Sequence, residues 1–218
     1  MAVIHHTTLT PGKLELLAAW LPRQPWYRAG AGSPELARAG GFRLDDPDGR
    51  VGLEFMVVAD AATGTAYHVP ATYRDSELPG AAEGLIGTAE HGVLGHRWVY
   101  DGAHDPVLVG QLVALIQGRA EPQAQSVTGT PDPTVTTGSP TAAGPLAPSG
   151  AAIVASTTEG TEIQLPAGPD GSIVVQINRI LQPGDGPSPG AGVSATWQQP
   201  DGAQARGVFA TAHHQPAR

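Results

Sequence analysis

Apolar side chains recur along the first 120 residues with two periods, one typical of helices and one typical of strands. Helical spacing predicts one helix over residues 10–21, with Thr10 as its N-cap. It predicts a second helix over 105–119, where Asp105 caps the first turn. Each helix carries an apolar stripe, so we expect both to pack against a sheet.

Runs rich in β-branched and aromatic residues, bounded by Gly, Pro and Asp, predict strands between these helices. The segments 51–60 and 65–74 are predicted to form a hairpin. Because Pro70 has no backbone N–H, we expect the second of these strands to lie at an edge or to end there. Further strands in this half are predicted over 2–9, 41–46 and 91–102.

The composition changes after residue 120. Residues 121–150 are rich in Pro, Gly, Ser, Thr and Ala, and they bury too little apolar surface to offset ordering entropy, which predicts a flexible linker. Residues 151–218 hold five strand-like runs separated by turns, which predict a small β-rich unit packed on the first domain. The predicted fold class is α+β: an antiparallel sheet with two packed helices over 1–120, then a small all-β unit.

Charge and composition exclude several classes of function. The 218 residues have a net charge of −8 and no basic segment, so the chain lacks the Lys/Arg patch that a nucleic-acid surface needs. No Cys is present, which excludes disulfides and thiolate metal sites. No apolar stretch approaches the roughly 20 residues of a membrane helix, and the N-terminus lacks the features of a signal peptide. We expect a soluble cytoplasmic protein that contacts neither nucleic acid nor membrane.

The segment "VYDGAHDP" (99–106) groups titratable side chains just before the second helix. One interpretation is a metal site built from Asp101, His104 and Asp105, with His91 and His96 nearby. The spacing matches no standard zinc motif, and the other interpretation is structural: a turn followed by a helix cap. The sequence favours the structural interpretation, and we predict no metal site, no catalytic residue and no cofactor-binding residue.

Two aromatic groups are candidates for a partner or ligand surface. The alternative for both is packing in the core, because strands and loops often bury aromatic side chains. The candidate residues are Trp26, Tyr27, Arg28, Trp98 and Tyr100.

Several segments occur in an order that is typical of one enzyme family: "MAVIHHTTLTPGKLELLAAWLPRQPWY", "EFMVVAD", "YHVPATYR", "LIGTAEHGVLG" and "WVYDGAHDPVLVGQL". Over residues 1–120 the chain resembles the N-terminal cap of maltokinases, actinobacterial enzymes that phosphorylate maltose from ATP and feed glycogen synthesis. The resemblance implies a curved sheet with a helix, and it places "VYDGAHDP" in the cap rather than at the phosphoryl-transfer site. The segment 172–189 resembles a strand of the kinase intermediate lobe, with Gln176 where that family has its phosphate-binding lysine.

The parts of a kinase that perform chemistry are missing from the sequence. Phosphoryl transfer needs a cation on the phosphates, a catalytic carboxylate and a Mg²⁺-binding Asp. The only lysine is Lys13, and no catalytic-loop motif, P-loop or nucleophile elbow is present. We therefore expect a non-catalytic accessory that binds a protein, such as an enzyme of glucan, maltose or trehalose metabolism, or a carbohydrate. The alternative is a maltokinase-like activity with ATP and Mg²⁺ that is completed by another chain. Arg179 or Arg206 could meet phosphates there, but neither brings the metal site.

Overall fold

A computed structural model describes residues 8–127, 129–138, 151–184 and 190–217. It is mostly antiparallel sheet with two short helices, which agrees with the α+β class predicted. Short 3-10 turns occur at 21–23, 82–84, 102–104 and 168–170. The helices and strands, in chain order, are β1 (Leu9–Thr10), α1 (Lys13–Trp20), β2 (Leu36–Leu44), β3 (Gly52–Asp60), β4 (Thr65–Arg74), β5 (Leu85–His91), β6 (Gly95–Asp101), α2 (Pro106–Ile116), β7 (Gln123–Ala124), β8 (Thr136–Thr137), β9 (Ile153–Thr157), β10 (Gly160–Pro166), β11 (Gly171–Ile177), β12 (Ala191–Gln198) and β13 (Gln204–Pro216).

The described strands form one sheet in the order β1-β5-β6-β4-β3-β2-β12-β13-β11-β10-β9. Two short strands lie off this path, with β7 paired to β2 and β8 paired to β12. The five C-terminal strands, which we predicted as a small all-β unit, therefore continue the first sheet. They join it where Trp197 of β12 pairs with Gly40 of β2.

Strand β3 is buried on both faces, because its side chains alternate between two cores. Phe55 and Val57 enter a core that includes α2 and the C-terminal strands. Met56 and Val58 enter a second core, which is covered by α1 and the loop that holds Trp26. This explains why β3 is a nearly continuous apolar run rather than an alternating one.

The chain after β11 closes the sheet into a ring. On one side of this segment, the Asn178 N–H donates to the Phe209 carbonyl of β13 at 2.9 Å. On the other side of the segment, the His68 N–H of β4 donates to the Arg179 carbonyl at 2.8 Å. The Leu181 N–H also donates to the Ala66 carbonyl of β4, at 2.9 Å. Residues 178–181 thus bridge β13 and β4, and the backbone groups on that side of β4 gain partners.

We expected Pro70 to lie in an edge strand or to end its strand, but it does neither. Strand β4 continues to Arg74, with β3 on one side and two partners on the other. Residues 178–181 pair with β4 up to His68, and β6 pairs with it from Ala71 onward. The missing N–H of Pro70 falls in the gap between these two partners, where no hydrogen bond is needed.

Four rings pack in series inside this closure, each from a different strand. Phe42 (β2) stacks on Phe55 (β3) at 4.5 Å between centroids, and Phe55 lies 6.1 Å from His68 (β4). His68 lies 4.6 Å from Phe209 (β13), which lies 6.0 Å from Phe42. This aromatic quartet ties the N-terminal strands to β13.

Part of the segment that we predicted as a flexible linker is packed on the sheet. Residues 121–127 and 129–138 include β7, which pairs with β2, and β8, which pairs with β12. Val135 is buried, and the Gln125 side chain donates to buried Glu54 at 2.7 Å. The description as a linker is therefore wrong for these residues, because backbone pairing and one buried carboxylate hold them. Residues 139–150 lie outside the described residues.

Two local predictions need correction. Helix α1 begins at Lys13 rather than near Pro11, because Thr10 pairs with Glu90 in the sheet and Gly12 takes the N-cap position. The strand predicted over 91–102 begins at Gly95, and the residues before it form β5, which was not predicted. The strand predicted over 2–9 falls mostly outside the described residues.

His68 makes stability depend on pH. Burial, followed by the charge of Arg179, lowers its pKa from 6.5 to about 3, and its Nδ1 donates to the Asn178 carbonyl at 3.1 Å. Between these pH values the unfolded chain binds a proton that the folded chain does not, so stability falls as pH falls. We expect the free energy of unfolding to drop by up to about 1.4 kcal/mol per pH unit more steeply in wild type than in His68→Phe.

Urea unfolding at several pH values between 4 and 7 measures both slopes. His213→Gln is the matched control, since His213 is exposed on β13. Equal slopes for wild type and His68→Phe would contradict the assignment.

Candidate docking site

The side chains of "VYDGAHDP" hold the sheet together. Asp101, at the end of β6, accepts from Arg179 Nη2 at 2.6 Å, and both side chains are almost fully buried. Arg179 Nε donates to Thr161 Oγ1 of β10 at 2.8 Å, and its guanidinium lies over the Trp26 ring at 5.1 Å. One buried ion pair therefore connects the end of β6 with the C-terminal strands.

The second carboxylate of the segment also has a structural role. Asp105 caps α2 by accepting from the Val107 N–H at 2.9 Å, which confirms the predicted cap. It binds Arg74 through two hydrogen bonds of 2.6 and 2.7 Å. Within the described part of the chain, no three His, Asp or Glu side chains are grouped so that they could hold a metal ion.

The only lysine belongs to a cluster around a buried carboxylate. Lys13 Nζ donates to Glu54 Oε2 at 2.5 Å, and the same carboxylate accepts from Tyr73 Oη and Gln125 Nε2, each at 2.7 Å. Burial acts to raise the pKa of the Glu54 carboxyl, but the Lys13 charge and these hydrogen bonds outweigh it and hold that pKa below its usual value. Burial, and then the Glu54 charge, raises the pKa of Tyr73 well above its usual value. Glu54 is thus a charged anchor for α1 and for the segment after α2.

The aromatic residues singled out from the sequence divide between core and surface. Trp26 is buried against Trp20 and Tyr67, and Tyr100 is buried with its hydroxyl accepting from the Leu78 N–H at 2.9 Å. Neither is accessible to a partner. Tyr27 and Trp98 are half-buried and Arg28 is exposed.

These residues do not form one surface. Trp26 belongs to the core under α1, whereas Trp98 points to the other face of β6, because its neighbour Val99 is in that core.

An exposed apolar tip lies at the turn between β5 and β6. Val93 is 62% exposed and Leu94 is 46% exposed. On one face of the hairpin next to them, His96 pairs with Glu90 at 2.6 Å and packs edge-on against Trp98 at 4.4 Å. We call Glu90, Val93, Leu94, His96 and Trp98 the hairpin tip.

Hydrogen bonds within the turn support the hairpin tip. His91 Nδ1 accepts from the N–H groups of Val93 and Leu94, at 3.3 and 3.1 Å, and Arg97 Nη2 donates to the Leu94 carbonyl at 2.6 Å. Gly95 has φ +72°, which lets the turn close. Because backbone groups of the turn are bonded internally, little ordering entropy opposes docking of its apolar side chains.

Sequence reasoning identified Trp98 but missed Val93 and Leu94. The available signal was "HGVLG" (91–95), in which two large apolar residues stand between turn-forming glycines, where polar residues are usual. The segment was predicted as part of a strand, so the pair was not recognised as exposed.

Comparison with known proteins agrees with the resemblance in the N-terminal half. Residues 20–105 match the model of a family described as the maltokinase N-terminal cap domain. The matched segment runs from the last residue of α1 to the cap of α2 and contains β2 to β6. No curated protein matches the chain.

Removal of one partner from the Asp101–Arg179 pair leaves the other charge buried and alone. We expect Asp101→Asn and Arg179→Met each to lower the free energy of unfolding by about 3–5 kcal/mol, and the double variant to lose less than the sum. Urea denaturation of the three variants completes the cycle.

The exposed pair gives the control, because Glu90→Gln at the hairpin tip alters only a solvent-exposed contact with His96 and should change stability little. Strictly additive losses in the Asp101–Arg179 cycle would argue against a direct interaction.

Proposed function

We propose that this chain, which carries a maltokinase N-terminal cap-like domain, is a non-catalytic accessory that docks a protein partner through the hairpin tip. The partner is an enzyme of glucan, maltose or trehalose metabolism, and the complex is cytoplasmic. No cofactor takes part. The exposed apolar pair Val93 and Leu94, on a turn fixed by its own hydrogen bonds, is the observation that carries this proposal.

The composition of the hairpin tip favours a protein over other ligands. Apolar and aromatic side chains supply the buried centre of protein interfaces, and a charged or polar rim surrounds them. Val93 and Leu94 provide the apolar centre, while Glu90 and His96 provide polar groups beside it. Trp98 adds a half-buried ring at the base of the hairpin.

The side chains that a kinase would use on phosphates have other partners. Lys13 is bound to Glu54, and Arg179 is buried against Asp101. Arg206 donates to the Thr134 carbonyl at 2.8 Å and to the Thr136 hydroxyl, so it holds β8 in place. These residues do not fit ATP–Mg²⁺, which needs free cations and an acidic metal site. This supports an accessory role.

A carbohydrate is the second candidate ligand, because Trp98 is half-buried and offers an aromatic surface to a sugar ring. Two concavities are also lined by described residues. One, lined by Lys13, Met56 and Tyr73 among others, holds about 10 Å³ and admits no sugar. The other is an open groove of about 500 Å³ beside β9. The hairpin face and this groove are therefore the two places that suit a sugar.

Polar replacement of the apolar pair tests the docking proposal. We expect Val93→Ser/Leu94→Ser to fold with unchanged stability and to lose the partner, with at least about a tenfold weaker Kd, because the buried centre of the interface is removed. Immobilised wild type and variant are exposed to lysate of the native host, and retained proteins are quantified by mass spectrometry. Titration calorimetry with the purified partner then gives the two Kd values.

Val127→Ser is the matched control, since Val127 is 54% exposed and follows β7, which pairs with β2 and not with the hairpin strands. Support requires an enzyme acting on glucan, maltose or trehalose that binds wild type and the control but not the hairpin variant. Retention of the same proteins by all three chains would refute the proposal.

The alternative function, a maltokinase-like activity completed by another chain, has a direct assay. The purified protein, alone and with host lysate, is incubated with ATP, Mg²⁺ and maltose, and sugar phosphate is measured. We expect no phosphate transfer that depends on this chain, because its cations are engaged internally. Transfer that appears only when the chain is present would establish the alternative.

A further inference from the structure

Strand β9 ends the sheet with an unprotected edge. It pairs with β10 on one side, and no strand of the described residues pairs with its other side. Val154 is half-buried and packs on the core, and Ser156, on the same face of the strand, is exposed and contacts Thr161 Oγ1 at 2.9 Å. Ile153, Ala155 and Thr157 face solvent, and Ile153 is 64% exposed.

The usual protections of an edge are missing from β9. Proteins shield exposed edges with charged residues, Pro, bulges or very short strands. The five residues of β9 include no charge and no Pro, and their register with β10 is continuous. At the opposite end of the strand order, β1 has only two residues and is followed by Pro11. Strand β1 covers only Glu90 and His91 of β5. The β9 edge is the one where a whole strand, Ile153–Thr157, is open to pairing among the described residues.

We propose that β9 pairs antiparallel with β9 of a second copy of this chain, around a twofold axis at Ala155. On the solvent face, Ile153 of one copy then lies opposite Thr157 of the other, and the two Ala155 side chains meet at the axis. On the inner face, Val154 lies opposite Ser156. The two sheets become one continuous sheet across the axis.

Charge and symmetry favour a second copy as the occupant. Each chain has a net charge of −8, so two copies repel at most surfaces, whereas β9 itself carries no charge and the charge in register with its centre is Glu162 of β10, opposite Ala155. Antiparallel pairing of identical strands satisfies both edges at once, which is the isologous contact of a twofold dimer. The small Ala155 side chains allow close approach at the axis, and Ile–Thr pairs are favourable cross-strand neighbours.

This inference goes beyond the proposed function and uses a different part of the molecule. The hairpin tip joins β5 to β6, at the other end of the strand order from β9. A dimer through β9 uses none of the hairpin-tip residues, so each copy keeps its own tip.

A charge-swap experiment on the full chain tests the dimer. Sedimentation equilibrium from about 1 µM to about 1 mM is expected to show wild type passing from monomer to dimer. Ala155→Lys and Ala155→Glu each place two like charges opposite one another at the axis, so each should raise the dimer Kd at least about fivefold. An equimolar mixture of the two variants should dimerise again, since opposite charges then face each other.

Val127→Lys adds the same charge to another exposed apolar site and should dimerise like wild type. Circular dichroism melts establish that every variant folds. Wild type that stays monomeric through the whole range would overturn the proposal, and so would Ala155→Lys with an unchanged dimer Kd. A mixture of the two variants that fails to dimerise would overturn the twofold axis at Ala155.

Discussion

The ion pair between Arg179 and Asp101 connects the two halves of the sheet. Both side chains are almost fully out of water, so each charge is tolerated only because the other lies 2.6 Å away. Asp101 ends β6, and Arg179 lies in residues 178–181, which close the ring between β13 and β4. Separation of the halves would leave a buried carboxylate and a buried guanidinium without partners. The closing segment is therefore held by charge as well as by backbone pairing.

The segment that matches the maltokinase cap depends on contacts with residues outside it. The match to the maltokinase cap covers residues 20–105, yet Asp101 within it is neutralised by a residue that lies far outside it. Phe42, Phe55 and His68 likewise complete their packing on Phe209 of β13. The C-terminal strands thus supply the partner of one buried charge and part of the core of the matched segment, and they do so as a continuation of its sheet rather than as a separate attachment.

The sequence predicted the features that depend on neighbouring residues. The α2 cap at Asp105 and the hairpin of β3 and β4 involve partners close along the chain, and both are confirmed. The contacts of Asp101 with Arg179 and of Glu54 with Gln125 join residues more than 70 positions apart, and no local pattern indicates them. The same reason explains the packed residues 121–127, whose composition resembles a linker but whose position is fixed by distant strands.

Several charged side chains are bound within the fold, so other surfaces remain for recognition. The lysine and at least three arginines hold the fold together, which argues against binding of phosphates by these groups. Large hydrophobic side chains are exposed at four described positions, and three of them lie on the hairpin tip or in β9. The recognition proposed at these sites is then mainly apolar and weakly dependent on salt. If β9 joins two copies, a partner with two binding sites meets two hairpin tips at once, so that modest contacts at each tip combine into a tighter complex.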